Sequence, residues 1–160
     1  GGGDARVEYR LTERLAARVE GSLVRGRDLD RPAARYLQNI PADRAGASLT
    51  YEGVDRGALR GGYVTVGYTY VRRQDRQPLN AEGVTFLQNQ PPPLYQDFAA
   101  APPAYGLMRL ALGGRLGERL DGTLTVDNLL NTDYRGYLNR LRYYAADVGR
   151  NATLRLRWSF

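Results

Sequence analysis

Residues 149–160 read GRNATLRLRWSF. From Asn151 onward, Ala152, Leu154, Leu156, Trp158 and Phe160 alternate with Thr153, Arg155, Arg157 and Ser159. A period of two is the signature of an extended strand whose successive side chains point to opposite faces. One face of this strand is wholly apolar and the other is cationic. Such a face suits only two surroundings, the dry core of a soluble sandwich or the hydrocarbon of a bilayer.

The same alternation recurs upstream, giving seven segments in all. Ala5, Val7, Tyr9 and Leu11 oppose Arg6, Glu8 and Arg10, and Leu15, Ala17, Val19, Gly21 and Leu23 oppose Arg18, Glu20 and Ser22. Near 43–53, Ala45, Ala47, Leu49 and Tyr51 oppose Arg44, Ser48, Thr50 and Glu52. After Gly61-Gly62, where a bulge or bend would blur the phase, Val64, Val66, Tyr68 and Tyr70 oppose Tyr63, Thr65 and Thr69. Met108, Leu110 and Leu112 oppose Arg109, and Leu120, Leu124, Val126 and Leu130 oppose Asp121, Thr123, Thr125 and Asp127. No charged residue falls on any of the apolar faces, although a quarter of the chain is charged; Asn128 is the one large polar intruder expected there.

Composition narrows the function. The 160 residues contain neither cysteine nor histidine, which removes disulfides, thiolate or imidazole metal sites, cysteine nucleophiles and any Ser-His-Asp triad. An enzyme is not expected, nor a cofactor, nor a metal site: Asp28, Asp30, Asp121 and Asp127 have no ligand spacing, and the carboxylates on the polar faces are expected to pair with arginines of neighbouring strands. No apolar run is long enough for a membrane-spanning helix. The opening residues GGGDARVEYR carry no apolar signal region and no methionine, so the chain is expected to begin inside a longer protein. All 23 basic residues are arginine and the net charge is +6. That balance raises nucleic-acid binding, but the arginines are dispersed along strands instead of gathered in a block.

The connections alternate strictly. Thr12-Glu13-Arg14, Asp55-Arg56 and Leu116-Gly117-Glu118 read as tight turns, while 28–42, 72–104 and 132–148 are long. Short turns at one rim and long loops at the other characterise outer-membrane barrels; the crossings of a sandwich do not sort this way. Strands of about ten residues suit a tilted crossing of the bilayer, and the twelve tyrosines, many near strand ends, suit an interfacial girdle. The expected fold is all-β, an antiparallel transmembrane β-barrel segment of about seven strands. Because single-chain bacterial barrels have even counts, roughly eight and upward, either a further strand lies in 80–104 or the chain is part of a larger barrel.

The residues LTVDNLLNTDYRGYLNRLRYYAADVGRNATLRLRWSF, 124–160, resemble the C-terminal end of TonB-dependent outer-membrane receptors, through Asn128, Leu129, Asn131, Tyr134, Gly149, Arg150, Asn151 and Phe160. LQNIPADRAGASLTYE, with Ile40, Pro41 and Arg44, and PPAYGLMRLALGGRL, with Pro102, Pro103 and Tyr105, resemble upstream segments of the same family. The resemblance implies that residues 1–160 are the C-terminal portion of a barrel of about 22 strands, without its plug and TonB-contacting segment, in the outer membrane of a Gram-negative bacterium. It implies uptake of a scarce ligand, a ferric siderophore or similar chelate, energised by the TonB complex. The partners implied are that complex, the barrel-assembly machinery, outer-membrane lipid and lipopolysaccharide, and the small-molecule ligand. Trp158 and Phe160 would then close the barrel and carry the assembly signal, the plainer alternative being girdle aromatics.

The long loops supply the candidate ligand residues. Arg72, Arg73, Arg76, Tyr95 and Phe98 could meet an anionic or aromatic ligand, against the plainer reading of a solvated loop. Arg135, Tyr137, Arg140 and Arg142 interleave with Tyr134 and Tyr143 as in single-strand nucleic-acid binders, but a surface loop between membrane strands argues against nucleic acid. Two other classes stay open: a complete small eight-stranded barrel serving as an anchor or adhesin, and a basic soluble sandwich.

Overall fold

The computed structural model describes residues 1–27, 29, 36, 37, 39–76 and 102–160, Tyr143 without its side chain. The chain is all-β. Strands β1 (Gly2–Arg10), β2 (Leu15–Val24), β3 (Arg44–Arg56), β4 (Leu59–Val71), β5 (Tyr105–Leu116), β6 (Leu120–Asp127) and β7 (Asn151–Trp158) are joined by one short 3-10 turn, Arg140–Tyr143, before β7. They form a single sheet in sequence order, and all six pairings are antiparallel. No described helix is long and apolar enough to cross a membrane.

The register carries the apolar faces of neighbouring strands into continuous rows. One row runs Val7, Val19, Ala47, Tyr68, Met108. Another runs Leu15, Tyr51, Val64, Leu112, Leu124, Leu154, and Leu116, Leu120 and Trp158 extend the band toward the short turns. A one-residue slip at any pairing would send an arginine or carboxylate into this band, so the pattern itself specifies the register.

The band is bare. Val7 is 66% exposed, Leu154 64% and Val19 58%. A soluble sandwich would hide such residues between two layers, yet among the described residues the largest fully buried side chain is the polar Gln74. Among the described residues the sheet thus has no apolar core of its own, which argues against a sandwich.

Four details differ from the sequence reading. β3 extends to Arg56, so the turn is Gly57-Ala58 and not Asp55-Arg56; Arg56 pairs with Leu59, and an oxygen of Asp55 accepts the Gly61 amide at 2.7 Å. β1 begins at Gly2 and stops at Arg10, leaving Leu11 in the turn. β6 ends at Asp127, because Asn128 has φ +50 and leaves the extended region. Asn128 therefore does not intrude on the apolar face, and Leu130 is not in the strand.

The bulges at Gly53 and Gly61-Gly62 keep the two faces in phase across β3 to β5. Gly53 has φ +84 and Gly61 has φ +55, where a β-carbon is strained. At Gly62 the obstacle is space: an added Cβ would lie 2.6 Å from the Val54 carbonyl oxygen. Gly62→Ala is therefore expected to lower stability by about 1–3 kcal/mol, whereas Gly57→Asn, in an open turn at φ +59, is tolerated. Midpoints of thermal unfolding in detergent would check the pair.

Candidate ligand-path wall and loop-rim cavity

Apart from Arg56, which pairs with Leu59 at the turn end of β3, the strands turn their charges to the face opposite the apolar band, and there the charges meet across the strands. Arg6 and Glu20 are opposite one another and bonded at 3.3 Å, Glu8 and Arg18 at 2.8 Å. Arg10 reaches Glu52 at 3.9 Å, Arg109 reaches Asp127 at 3.2 Å and Arg115 reaches Asp121 at 3.0 Å. Exposed pairs of this kind each contribute about 0–1 kcal/mol. Their effect is to hold the long side chains along the wall and leave it nearly neutral over β1 and β2. Among the described residues, Arg44, Arg60, Arg155 and Arg157 share that face without a carboxylate within salt-bridge distance.

At the long-loop rim, Asp43 ties two loops together. Its carboxylate accepts from Arg25 just past β2 and from Arg76 at 2.9 Å just past β4. Beside it, the buried Gln74 donates to the carbonyls of Ile40 and Pro41 at 2.8 and 2.9 Å, and accepts the Arg76 amide. The hydrogen bond from Arg25, with the further charge of Arg76, holds the Asp43 carboxyl below its usual range. A lowered carboxyl stabilises the tie above the usual carboxylate range, and that contribution disappears as pH falls through the lowered value. Acidification through that range is therefore expected to release residues 40–43 and 72–76 to protease, and Asp43→Asn to show severalfold faster cleavage there already at neutral pH. Limited proteolysis against pH measures both.

The loop 128–150 folds over the polar face. Asn128 and Asn131, both at positive φ, act as its hinges. The Asn128 amide bonds both the N–H and the carbonyl of Thr132 at 2.8 Å, and Asn131 accepts the Arg150 amide at 2.8 Å where β7 begins. Asp147 gathers the loop by accepting from the Gly136 amide at 2.6 Å and from Asn139 at 2.8 Å, while Asn139 caps the 3-10 turn through Leu141. Arg142 is buried, with its guanidinium 4.9 Å from the centre of the Tyr137 ring and bonded to the Tyr137 carbonyl. Arg135 donates to the Arg142 carbonyl at 2.6 Å.

Between this loop and β3 to β7 lies a cavity of about 700 Å³. Arg44, Arg109 and Asp127 of the wall line it, together with Tyr105, Tyr134, Tyr137, Asn139 and Asp147. Tyr105 and Tyr134 stack with ring centres 4.6 Å apart. Burial, then the charges of Asp147 and Asp127, raise the Tyr134 hydroxyl above its usual value, so it stays a neutral donor at ordinary pH. Among the described residues the chemistry on offer is hydrogen bonding, aromatic contact and a cation without a salt bridge, Arg44.

Of the expected ligand residues, Tyr137 lines this cavity. Arg135 and Arg142 are drawn into the loop's own hydrogen bonds, and Arg140 is exposed at the start of the 3-10 turn. Arg72 and Arg73 stand at the base of the other loop beside Asp75, at 3.9 and 3.3 Å, and Arg76 is held by Asp43. Tyr95 and Phe98 lie outside the described residues, as do Asp28 and Asp30. Trp158 sits on the apolar band opposite Leu120, and Phe160 follows the strand fully exposed. Arg44, Arg109, Tyr105 and Tyr134 were readable as wall or motif residues, but not as the lining of one cavity. That requires knowing that 128–150 bends over the polar face.

No protein-family model matches the chain, and no curated protein matches it. Among solved structures it is similar to the copper transporter OprC, with a TM-score of 0.74 at 22% sequence identity. The match covers 99% of this chain and 22% of that one, so this chain spans about a fifth of its neighbour's length. At this identity the likeness is one of fold, and the fold is an antiparallel segment of a transmembrane β-barrel.

Proposed function

We propose that the chain forms part of the wall of a transport barrel in the outer membrane of a Gram-negative bacterium. The observation that carries this reading is the apolar band running through six strand pairings with none of the described residues packed over it. Lipid satisfies that band, and water inside the barrel solvates the opposite, charged face. Among the described residues the seven strands form an open sheet in which β1 and β7 are not paired with each other. Further strands therefore complete the wall, in keeping with residues 1–160 being the C-terminal portion of a TonB-dependent receptor whose plug lies elsewhere.

In this reading the cavity under the loop 128–150 and the arginines of the wall form part of the path of a scarce ligand, a ferric siderophore or similar chelate. The TonB complex would drive uptake through regions outside this chain, and the assembly machinery would read Trp158 and Phe160. The OprC likeness supports transport through a barrel and adds copper to the ligands worth testing. Uptake by a deletion strain should be measured over iron chelates, copper and vitamins at limiting concentration. One of them should depend on the gene by about tenfold or more and on Arg44 and Tyr134 severalfold; unchanged uptake of all of them would overturn the reading.

A further inference from the structure

We infer that the turn end of the charged face, over β4 to β7, binds a small polyanion, a molecule carrying two or more carboxylates about 5–10 Å apart. The inference rests on the ligand-path reading and adds a second site to that path, at the opposite rim from the loop cavity.

One cross-strand row carries it. Arg60 on β4 pairs with Arg115 on β5, Arg115 with Asp121 on β6, and Asp121 with Arg157 on β7. Arg155 lies two residues farther along β7, opposite Thr123. Four guanidiniums thus surround one acid, and that acid is bonded to Arg115 at 3.0 Å. Asp55 accepts the Gly61 amide at 2.7 Å and makes no salt bridge to Arg60. The β5–β6 turn adds one charge of each sign, Glu118 and Arg119. Over β1 to β3, by contrast, Arg6, Arg10 and Arg18 each meet a carboxylate, so the cationic excess is local.

Arg60 directly opposite Arg115 is a like-charge cross-strand pair, which destabilises a sheet. Both stand among described neighbours: Arg115 lies between β4 and β6, and Arg60 between Arg115 and the β3–β4 turn. An anion arriving through the lumen relieves the repulsion. Beside the row is a cavity of about 390 Å³ lined by Arg60, Arg115, Asp121, Thr123 and Tyr63, a size that suits a small molecule. The Tyr63 ring lies over Gly113, where a Cβ would come within 2.5 Å of it, and forms one side of the hollow. Neighbouring strands stand about 4.8 Å apart, so Arg60 and Arg115 are one spacing apart and Arg115 and Arg157 two. A tricarboxylate reaches two or three of these guanidiniums at once, whereas a single phosphate reaches fewer.

The intact barrel containing these residues, in detergent at low salt, is titrated calorimetrically with tricarballylate and with inorganic phosphate. Tricarballylate should bind about tenfold tighter than phosphate. Arg60→Gln with Arg157→Gln should weaken it by about tenfold or more, while Arg14→Gln, at the same rim, leaves it unchanged. Equal binding of the two anions overturns the inference, as does binding insensitive to the Gln pair. Absence of binding also overturns it, and a Gln pair that then lowers the melting temperature points instead to an acidic protein segment seated on the row. A nitroxide scan separates this failure from failure of the wall reading. A neutral nickel chelate should reach labels at Thr123 and at Ser48 alike, and trianionic chromium oxalate should be enriched severalfold at Thr123 over Ser48. Nickel access without chromium enrichment overturns the polyanion site and leaves the wall standing; no nickel access at Thr123 overturns both.

Discussion

Leu154→Arg should nearly abolish the heat-modifiable, membrane-inserted form of the protein, while Thr153→Arg leaves its yield close to that of the parent. The two positions are neighbours on β7, at almost the same depth, and differ in the face they present. Leu154 pairs with Leu124, which continues to Leu112 and Val64 in the apolar band. Thr153 pairs with Thr125 on the polar face. An arginine set against hydrocarbon near the midplane costs about 2–4 kcal/mol, and one facing a watery lumen costs almost nothing. At about 1.4 kcal/mol per decade, that range corresponds to roughly 30-fold to 1000-fold in the inserted fraction. Equal yields of the two variants would reverse the assignment of the faces.

The chain transferred to water without detergent or lipid is expected to lose cooperative folding altogether. A stable domain needs buried apolar area to offset the conformational entropy of ordering its chain. Here the apolar side chains that would supply it, among them Val7, Val19, Leu49, Leu154 and Leu156, are half or more exposed, and among the described residues β1 and β7 leave two strand edges unpaired. The stabilising transfer belongs to the membrane instead. Thermal melts in buffer should show no sharp transition and the protein should aggregate, with a cooperative transition gained in detergent. A sharp two-state melt in plain buffer would contradict this.

The faces and their order were readable from the chain because one cause produces both: lipid excludes charge from every second residue, so Arg155 against Leu154 and Glu8 against Val7 already state which way each side chain points. The loop lengths gave the two rims for the same reason. The sequence reading failed where local backbone geometry takes over from periodicity. Gly53 and Gly61 adopt left-handed conformations that lengthen β3 and β4 through bulges, and Asn128 adopts one that stops β6 at Asp127, short of Leu130. The site was less accessible still. Arg142 and Arg135 read as free cations in a string of arginines and tyrosines, yet their bonds to carbonyls of the same loop depend on how 132–148 closes on itself. Arg44 and Tyr134 meet at one cavity only because that loop lies over the wall, a long-range arrangement with no periodic trace.

The central claim is that lipid lies against one face of this sheet and water against the other. A nitroxide scan from Ala152 to Arg157 in lipid bilayers tests it most directly, by comparing collision with dissolved oxygen and with an aqueous nickel chelate. Oxygen accessibility should peak at Ala152, Leu154 and Leu156, and nickel accessibility at Thr153, Arg155 and Arg157, the two profiles alternating out of phase. Profiles that coincide, or that exchange places, would contradict the account.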